Sequence, residues 1–180
     1  ESVNSSTATN QAVNAKFSLN TVNKFMNVVI PGGISREYAT ALAPTTKGAL
    51  NGYDVKKTPV MTMRKIGEAW DQPFIAIFEP TDNQLGTVKS ATTIFDNTKA
   101  VGVKVVSEVN GQQIIDIILS NDNDDVALNL PQHNISFTGR FAIVRTEVKN
   151  GTTDVSLYIG RGQQLVFIDK TLNGDVDGKG

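Results

Sequence analysis

The stretch Ala100–Leu119, AVGVKVVSEVNGQQIIDIIL, decides the fold because it carries two strand-like segments on either side of an Asn-Gly pair. Valine and isoleucine fill both segments, and β-branched residues are enriched in strands. Asn110 and Gly111 tolerate the positive φ angles that hairpin turns require. A second Asn-Gly pair, at 150–151, follows the apolar segment 140–148 and indicates another hairpin. The pattern therefore predicts antiparallel strands joined by short turns.

The position of Asp116 favours a three-residue loop in the first hairpin. A two-residue loop would set Asp116 opposite Val105, on a face where an unpaired carboxylate is costly to bury. A bulged loop from Val109 to Gly111 sets Asp116 opposite Lys104 instead. It also pairs the apolar residues Val101, Val103 and Val105 with Leu119, Ile117 and Ile115. The same choice in the second hairpin predicts a loop over 149–151 and sets Phe141, Ile143 and Arg145 opposite Ile159, Leu157 and Val155.

Short segments rich in Val, Ile, Phe and Thr alternate with Gly, Asn, Asp and Pro clusters from Phe25 onward. This spacing predicts an all-β fold, an antiparallel β-sandwich of about ten strands. The predicted strands are Phe25–Ile30, Val60–Lys65, Phe74–Glu79, Thr87–Ile94, Ala100–Val109, Gln113–Leu119, Ile135–Thr138, Arg140–Val148, Asp154–Ile159 and Gln164–Asp169. Residues 1–24 are rich in Ser, Thr, Asn and Ala, so we predict a linker or ragged N-terminal segment before a sandwich over 25–180.

Two apolar segments have less regular patterns. The run Phe74–Phe78 has no polar face, so we predict a central strand that is covered on both sides. Ser35–Ala43 is the best helical candidate, but it is short, ends at Pro44 and fits a strand equally well. No segment predicts a long helix, and no apolar run reaches the roughly 18 residues that a membrane helix requires.

The composition excludes several function classes. Seventeen Lys and Arg balance eighteen Asp and Glu for a formal charge of −1, and no stretch is basic enough to follow a nucleic-acid backbone. The chain has no cysteine, which excludes disulfides and thiol chemistry but leaves the compartment open. A chain of 180 residues can form a sizeable core without a metal.

The sequence contains few of the groups that a catalytic centre needs. His133 is the only histidine and no Gly-x-Ser-x-Gly motif is present, so neither a nucleophilic triad nor a His-rich zinc site is predicted. We expect His133 to be a surface or hydrogen-bonding residue. The carboxylates of Glu68, Asp71, Glu79 and Asp82 could serve glycoside hydrolysis only if the fold brought two of them together, which spacing alone does not show.

An acidic loop over 121–125 offers hard oxygen ligands of the kind that calcium prefers. Asp122, Asp124 and Asp125 are the candidate ligands for Ca2+, although their spacing matches no complete calcium loop. The alternative is a solvated turn that protects the end of a sheet. A second acidic run, at 175–178, resembles half of a calcium loop but lacks the final carboxylate.

Trp70 is the best candidate for carbohydrate binding. It is the only tryptophan and lies in a polar turn with Glu68 and Asp71, where an exposed indole could stack on the apolar face of a sugar ring. The alternative is a tryptophan folded back over the end of the sandwich as core. A carbohydrate-binding surface would also need a second exposed aromatic residue, for which the candidates are Tyr38, Tyr53 and Tyr158.

Two stretches carry a resemblance to a known family. MNVVIPGGISREYATALAP at 26–44 and YDVKKTPVMTMRKIGEAWDQPFIAIFEP at 53–80 resemble the C-terminal β-domain of bacterial heparinase II/III-like polysaccharide lyases. The resemblance covers roughly residues 25–106 and is most specific over Gly67–Pro80. In that family the catalytic Tyr, His and Asn lie in an N-terminal α/α toroid and a central β-region, and none of those motifs maps onto this chain.

The resemblance implies a non-catalytic C-terminal domain that packs against the catalytic region of a lyase acting on acidic polysaccharide. It also implies export to the periplasm or outside the cell. Arg36, Arg64 and Glu79 would then be structural polar residues between strands or at a domain contact, or plain surface charges. A packing domain of this kind should expose an apolar patch.

Two other functions compete with this interpretation. The first is a standalone carbohydrate-binding module, which requires exposed coplanar aromatic rings. The second is an autonomous lyase or hydrolase, which requires a base and a charge neutraliser in one cleft. With one histidine and no catalytic motif, the sequence favours a chain that is not itself an enzyme.

Overall fold

A computed structural model describes residues 4–6, 8–19, 22–48, 50, 52, 54–82 and 84–174, which form three antiparallel sheets. The strands of this part of the chain are β1 Asn4–Ser5, β2 Val13–Ser18, β3 Phe25–Ile30, β4 Glu37–Ala43, β5 Thr58–Arg64, β6 Ile77–Thr81, β7 Val88–Asp96, β8 Lys99–Val109, β9 Gln112–Ser120, β10 Leu128–Leu130, β11 Ile135–Lys149, β12 Thr152–Phe167 and β13 Lys170–Asn173. A single turn of 3-10 helix, Pro131–His133, follows β10, and no α-helix occurs among the described residues. The predicted all-β sandwich is confirmed.

The sheets stack as layers. The long sheet has the strand order β13-β12-β11-β9-β8-β7, with β10 paired to β11. The middle sheet, β2-β3-β6, packs on one face of the long sheet through Val29, Ile75 and Ile77. The outer sheet, β1-β4-β5, covers the opposite face of the middle sheet, where Val28 and Tyr38 share a cluster with methionines of β5. Side chains from facing layers thus fill the cores, as in other sandwiches.

The long sheet bends on itself at Gly139, where the pairing of β11 with β12 is irregular. Before this point the buried residues of β11 are odd-numbered, Ile135 and Phe137, and after it they are even-numbered, Ala142 and Val144. All four lie in one core cluster. The irregularity therefore turns both ends of the strand toward the same core, as bulges do at sheet corners.

Part of the segment 1–24, for which we expected a linker or ragged N-terminal segment, belongs to a sheet. Strand β2 lies within it and pairs with β3 from Val13–Ile30 through Ser18–Phe25. The alternating burial of β2 places Phe17 against the cluster between the middle and outer sheets.

Both predicted bulged loops are wrong, because each hairpin has a tight two-residue turn. Val109 faces Gln112 and Lys149 faces Thr152, so the turns are Asn110-Gly111 and Asn150-Gly151. All four turn residues have positive φ, between 52° and 79°. This is the backbone that two-residue hairpins favour.

The two-residue turn is possible because Asp116 has a charged partner. Asp116 does lie opposite Val105, but its neighbour on the other side is Arg145 of β11. Arg145 donates two hydrogen bonds to the carboxylate, Nε to Oδ1 at 2.7 Å and Nη2 to Oδ2 at 2.9 Å. A bidentate pair of this kind satisfies the charge that we expected to be unpaired.

The prediction of a central strand at Phe74–Phe78 is also wrong. Strand β6 begins only at Ile77 and is an edge strand of the middle sheet. Exposure alternates from residue 74 to residue 81, so Ile75 and Ile77 pack inward while Phe74 (54% exposed) and Phe78 (65%) face outward. The ambiguous segment Ser35–Ala43 is resolved as the strand β4.

Candidate functional site

Trp70 lies on an exposed turn between β5 and β6. Its side chain is 87% exposed, so the alternative that it folds back as core is wrong. Within the turn, the Gln72 N–H donates to the Ala69 carbonyl at 3.0 Å. A flat aromatic ring that is accessible to solvent can stack on a ligand, which makes Trp70 a candidate contact residue.

A buried arginine fixes this turn to the body of the protein. Arg36, directly before β4, is only 3% exposed and donates from Nη2 to the carbonyls of Gln72 (2.8 Å) and Pro73 (2.7 Å). Its guanidinium also lies over the Phe74 ring, 4.3 Å from the centroid. Burial lowers the pKa of Arg36. The charge is held by carbonyl dipoles and an aromatic face, which is where guanidinium groups are favoured.

A second contact joins the turn to the long sheet. The backbone N–H of Ala100, on β8, donates to the Asp71 carbonyl at 2.7 Å. The turn is therefore held from two directions, by β8 and by Arg36. A turn ordered in advance loses little conformational entropy when it binds a ligand, which favours affinity.

Glu68 and Asp71 are both exposed on the same turn as Trp70. The structure thus brings together the three residues that we predicted as a carbohydrate site. Carboxylates accept hydrogen bonds from sugar hydroxyls, and the indole offers a flat apolar surface. Because two negative charges flank the ring, the turn suits a sugar unit without an acidic group.

Asp122 and Asp124, two of the predicted calcium ligands, belong to the β9–β10 loop. Each of them pairs with basic side chains from neighbouring strands. Lys99 Nζ lies 2.6 Å from Asp122 Oδ1. This hydrogen bond and the lysine charge lower the pKa of Asp122. Asp124 pairs with two arginines, Arg140 and Arg161, the second with an Nη2–Oδ2 distance of 2.9 Å. In this arrangement both carboxylates neutralise charges of the protein itself.

Asp125, the third predicted ligand, donates its backbone N–H to Asn123 Oδ1 at 2.9 Å. Within the described ranges, no group of three or more His, Asp or Glu side chains is arranged to hold a metal ion. Calcium binding by the 121–125 loop stays a prediction. The second acidic run, at 175–178, lies outside the described residues.

The other candidate residues are spread over the molecule. Tyr38 is buried, Tyr158 is exposed with its ring edge-on to Phe141 (6.3 Å between centroids), and Tyr53 lies outside the described residues. His133 ends the 3-10 helix, where burial and the charge of Lys104 lower its pKa. In the described part of the chain, no helix has the length and apolarity needed to cross a membrane.

Two comparisons place the chain among known proteins. Residues 88–180 match the model of the endo-acting ulvan lyase C-terminal domain family. The chain is also similar to an endo-acting ulvan lyase of Formosa agariphila, with 41% identity over 175 residues. That alignment covers 97% of this chain but 21% of the relative, so the chain spans about a fifth of the relative's length. No solved structure matches the chain.

Proposed function

The chain belongs to the endo-acting ulvan lyase C-terminal domain family, and from this membership we propose that it is a non-catalytic domain of a polysaccharide lyase and packs against the catalytic region. The difference in length between the two proteins supports the proposal. About four fifths of the similar lyase lies outside the aligned part, which leaves room there for a catalytic region. The single histidine, with Lys104 rather than a carboxylate as its charged neighbour, supports a role without chemistry.

The packing surface in this proposal is an apolar edge strip formed by Phe74, Ala76, Phe78 and Pro80. All four residues are exposed and follow one another at every second position. They lie along β6 and the segment before it, at the edge of the middle sheet. The exposure of Phe78 on the edge strand β6, and of Phe74 in the segment before it, is the single observation that carries the packing proposal, since unprotected apolar edges are usually covered by a partner.

Hydrogen exchange tests this packing directly. In the intact lyase the edge strip should be covered, and the backbone amides of residues 74–79 should exchange more slowly than in the isolated chain. Mass spectrometry of peptides from both proteins gives the two rates. Equal rates would show that the strip faces solvent in the intact enzyme.

The same proposal includes the type of catalytic region, the substrate and the location of the parent enzyme. The resemblance to heparinase II/III-like lyases covers roughly 25–106, whereas the family match covers 88–180, so the two observations support a lyase domain from different parts of the chain. We propose a heparinase II/III-like catalytic region, an acidic polysaccharide as substrate, and a periplasmic or extracellular location. The location is supported by the extracellular polysaccharides on which such lyases act.

Carbohydrate binding at the Trp70 turn is a second candidate function, favoured by the exposure of Trp70 on a turn that is held in place. We expect Trp70→Ala to weaken binding of ulvan by about tenfold, because the stacked ring is lost. Isothermal titration calorimetry measures the change. Leu50→Ala removes another exposed apolar side chain, one that belongs to no candidate site, and should leave the affinity unchanged. Unaltered binding by Trp70→Ala would exclude Trp70 from the site.

A further inference from the structure

A cleft with a volume of ≈ 270 Å³ opens beside the middle sheet, and its lining does not include Glu68, Trp70 or Asp71. Lys16, Asn27 and Glu79 form its floor, Asn14, Gln84 and Lys89 complete its polar lining, and the other lining residues are apolar. The volume lies just below the roughly 300 Å³ at which pockets for small molecules begin, so the cleft suits one sugar ring with its substituent.

The floor of the cleft is a row of residues across all three strands of the middle sheet. Lys16 faces Asn27 in the β2–β3 pair, and Asn27 faces Glu79 in the β3–β6 pair. Directly paired residues point to the same face of a sheet. Val29, two residues beyond Asn27, is buried against the long sheet. The polar row therefore lies on the face of the middle sheet that packs against the long sheet.

The carboxylate of Glu79 is occupied by the protein. It accepts hydrogen bonds from the backbone N–H and hydroxyl of Thr87, the latter at 2.7 Å, and from Asn27 Nδ2 at 3.3 Å. Burial raises the pKa of Glu79, but hydrogen bonds from Thr87, Asn27 and Val88 outweigh this and lower it, so the group is ionised at neutral pH. Gly86 leaves room for this arrangement, since a Cβ at that position would collide with Glu79 and Asn27.

Whereas the Glu79 carboxylate is hydrogen-bonded within the protein, the two lysines of the cleft have no oppositely charged partner among the described residues. In the described part of the chain, neither Lys16 nor Lys89 forms an ion pair. The Lys16 ammonium lies 5.7 Å from the centroid of the Phe25 ring. With Glu79 already bonded, the cleft offers two unpaired cations and the amides of Asn27 and Gln84 as further donors.

We propose that this cleft binds an anionic sugar unit, one that carries a carboxylate or a sulfate, in the polysaccharide on which the parent lyase acts. Lys16 and Lys89 hold the anion, and the amides bind hydroxyl groups. The inference rests on the proposed function, since it takes the polymer from there. The two surfaces would then bind different sugar units. The turn at Trp70 carries two carboxylates and suits a sugar without an acidic group, whereas the cleft carries two lysines and suits an anionic one.

A pair of matched double variants tests the proposal. We expect Lys16→Ala with Lys89→Ala to weaken the binding of ulvan by the full 180-residue chain by about tenfold, since both cations that hold the anion are lost and exposed ion pairs contribute modestly. Lys47→Ala with Lys170→Ala removes the same charge from the β4–β5 loop and from β13, and should bind like the unaltered chain. Calorimetric titrations of the three proteins give the ratios, and thermal unfolding confirms that all three fold.

Other polymers show which acidic group is recognised. Polygalacturonate carries carboxylates, dextran sulfate carries sulfates, and dextran carries neither. Binding of either anionic polymer that depends on Lys16 and Lys89, with no binding of dextran, supports the proposal. No binding of ulvan, or equal loss in both double variants, overturns it. Hydrogen exchange of the edge strip tests the packing proposal separately. The packing proposal can therefore fail without changing the expected results for polymer binding.

Discussion

Replacing Gly139 with alanine should lower the free energy of unfolding by about 4 kcal/mol, because the bend of the long sheet has no room for a side chain. A Cβ at Gly139 would collide with the Cα of Gly162 and lie 2.6 Å from the Arg161 carbonyl oxygen. Gly139 also has a φ of +150°, which residues with side chains rarely adopt. In a chain of this size the melting temperature should fall by about 10 °C. Thermal unfolding followed by circular dichroism measures the change.

Gly151→Ala provides the matched control. Gly151 also has positive φ, +79°, but a Cβ there would meet nothing within 4 Å. This variant should therefore lose only the roughly 1–2 kcal/mol that the backbone conformation costs. Equal destabilisation by the two substitutions would show that crowding at the bend contributes nothing.

Replacing Arg36 with alanine should destabilise the protein by about 3 kcal/mol and release the Trp70 turn. The substitution removes the two hydrogen bonds that the charged guanidinium donates to the carbonyls of Gln72 and Pro73. Loss of hydrogen bonds from a buried charged group is costly. Because Trp70 is the only tryptophan, the fluorescence anisotropy of the folded variant reports on the turn alone. We expect lower anisotropy and a weaker affinity for ulvan, by about the factor expected for Trp70→Ala.

Arg64→Ala is the control for this prediction. Arg64 lies on β5, opposite Glu37, and pairs with that carboxylate through Nε at 2.9 Å on an exposed surface. Exposed pairs of this kind contribute little, so stability should change by less than about 1 kcal/mol and the anisotropy should stay the same. If both arginine variants kept the anisotropy of the unaltered chain, the role of Arg36 as an anchor would be wrong.

The hairpins show how much of the register the sequence can predict. Both turns were located correctly, because Asn-Gly is a local signal for a tight turn. The predicted bulges are wrong because Asp116 has its partner on a third strand. Arg145, which pairs with Asp116, lies 29 residues away along the chain and becomes its neighbour only when β11 joins the sheet. Register thus depended on a partner that no local pattern indicates.

The bend of the long sheet was hidden for a similar reason. The strands predicted at 135–138 and 140–148, and at 154–159 and 164–169, divide β11 and β12 into two pieces each, with glycines at the breaks. In the structure each strand continues through the irregularity. The buried positions of β11 change there from odd-numbered to even-numbered residues, and this change places Phe137 and Val144 in one core. A glycine in a strand pattern is compatible with an end or with a bend, and only the packing decides.

The candidate site was partly predictable. Trp70, Glu68 and Asp71 share one turn because they are close in sequence, and this the sequence shows. The buried anchor Arg36 lies about thirty positions earlier, and only the approach of β4 to the turn identifies it. The prediction of a central strand at Phe74–Phe78 is wrong because an apolar run has the same pattern whether its second face is buried or exposed.

Hydrogen exchange of the edge strip tests the central proposal most directly. In the intact lyase, peptides covering residues 74–80 should exchange at least about tenfold more slowly than in the isolated chain, while the edge strand β13, at 170–173, should exchange equally in both. This result would show that Phe74 and Phe78 pack against the rest of the enzyme. Equal exchange of residues 74–80 in the two proteins would contradict the proposal that the domain packs through this strip.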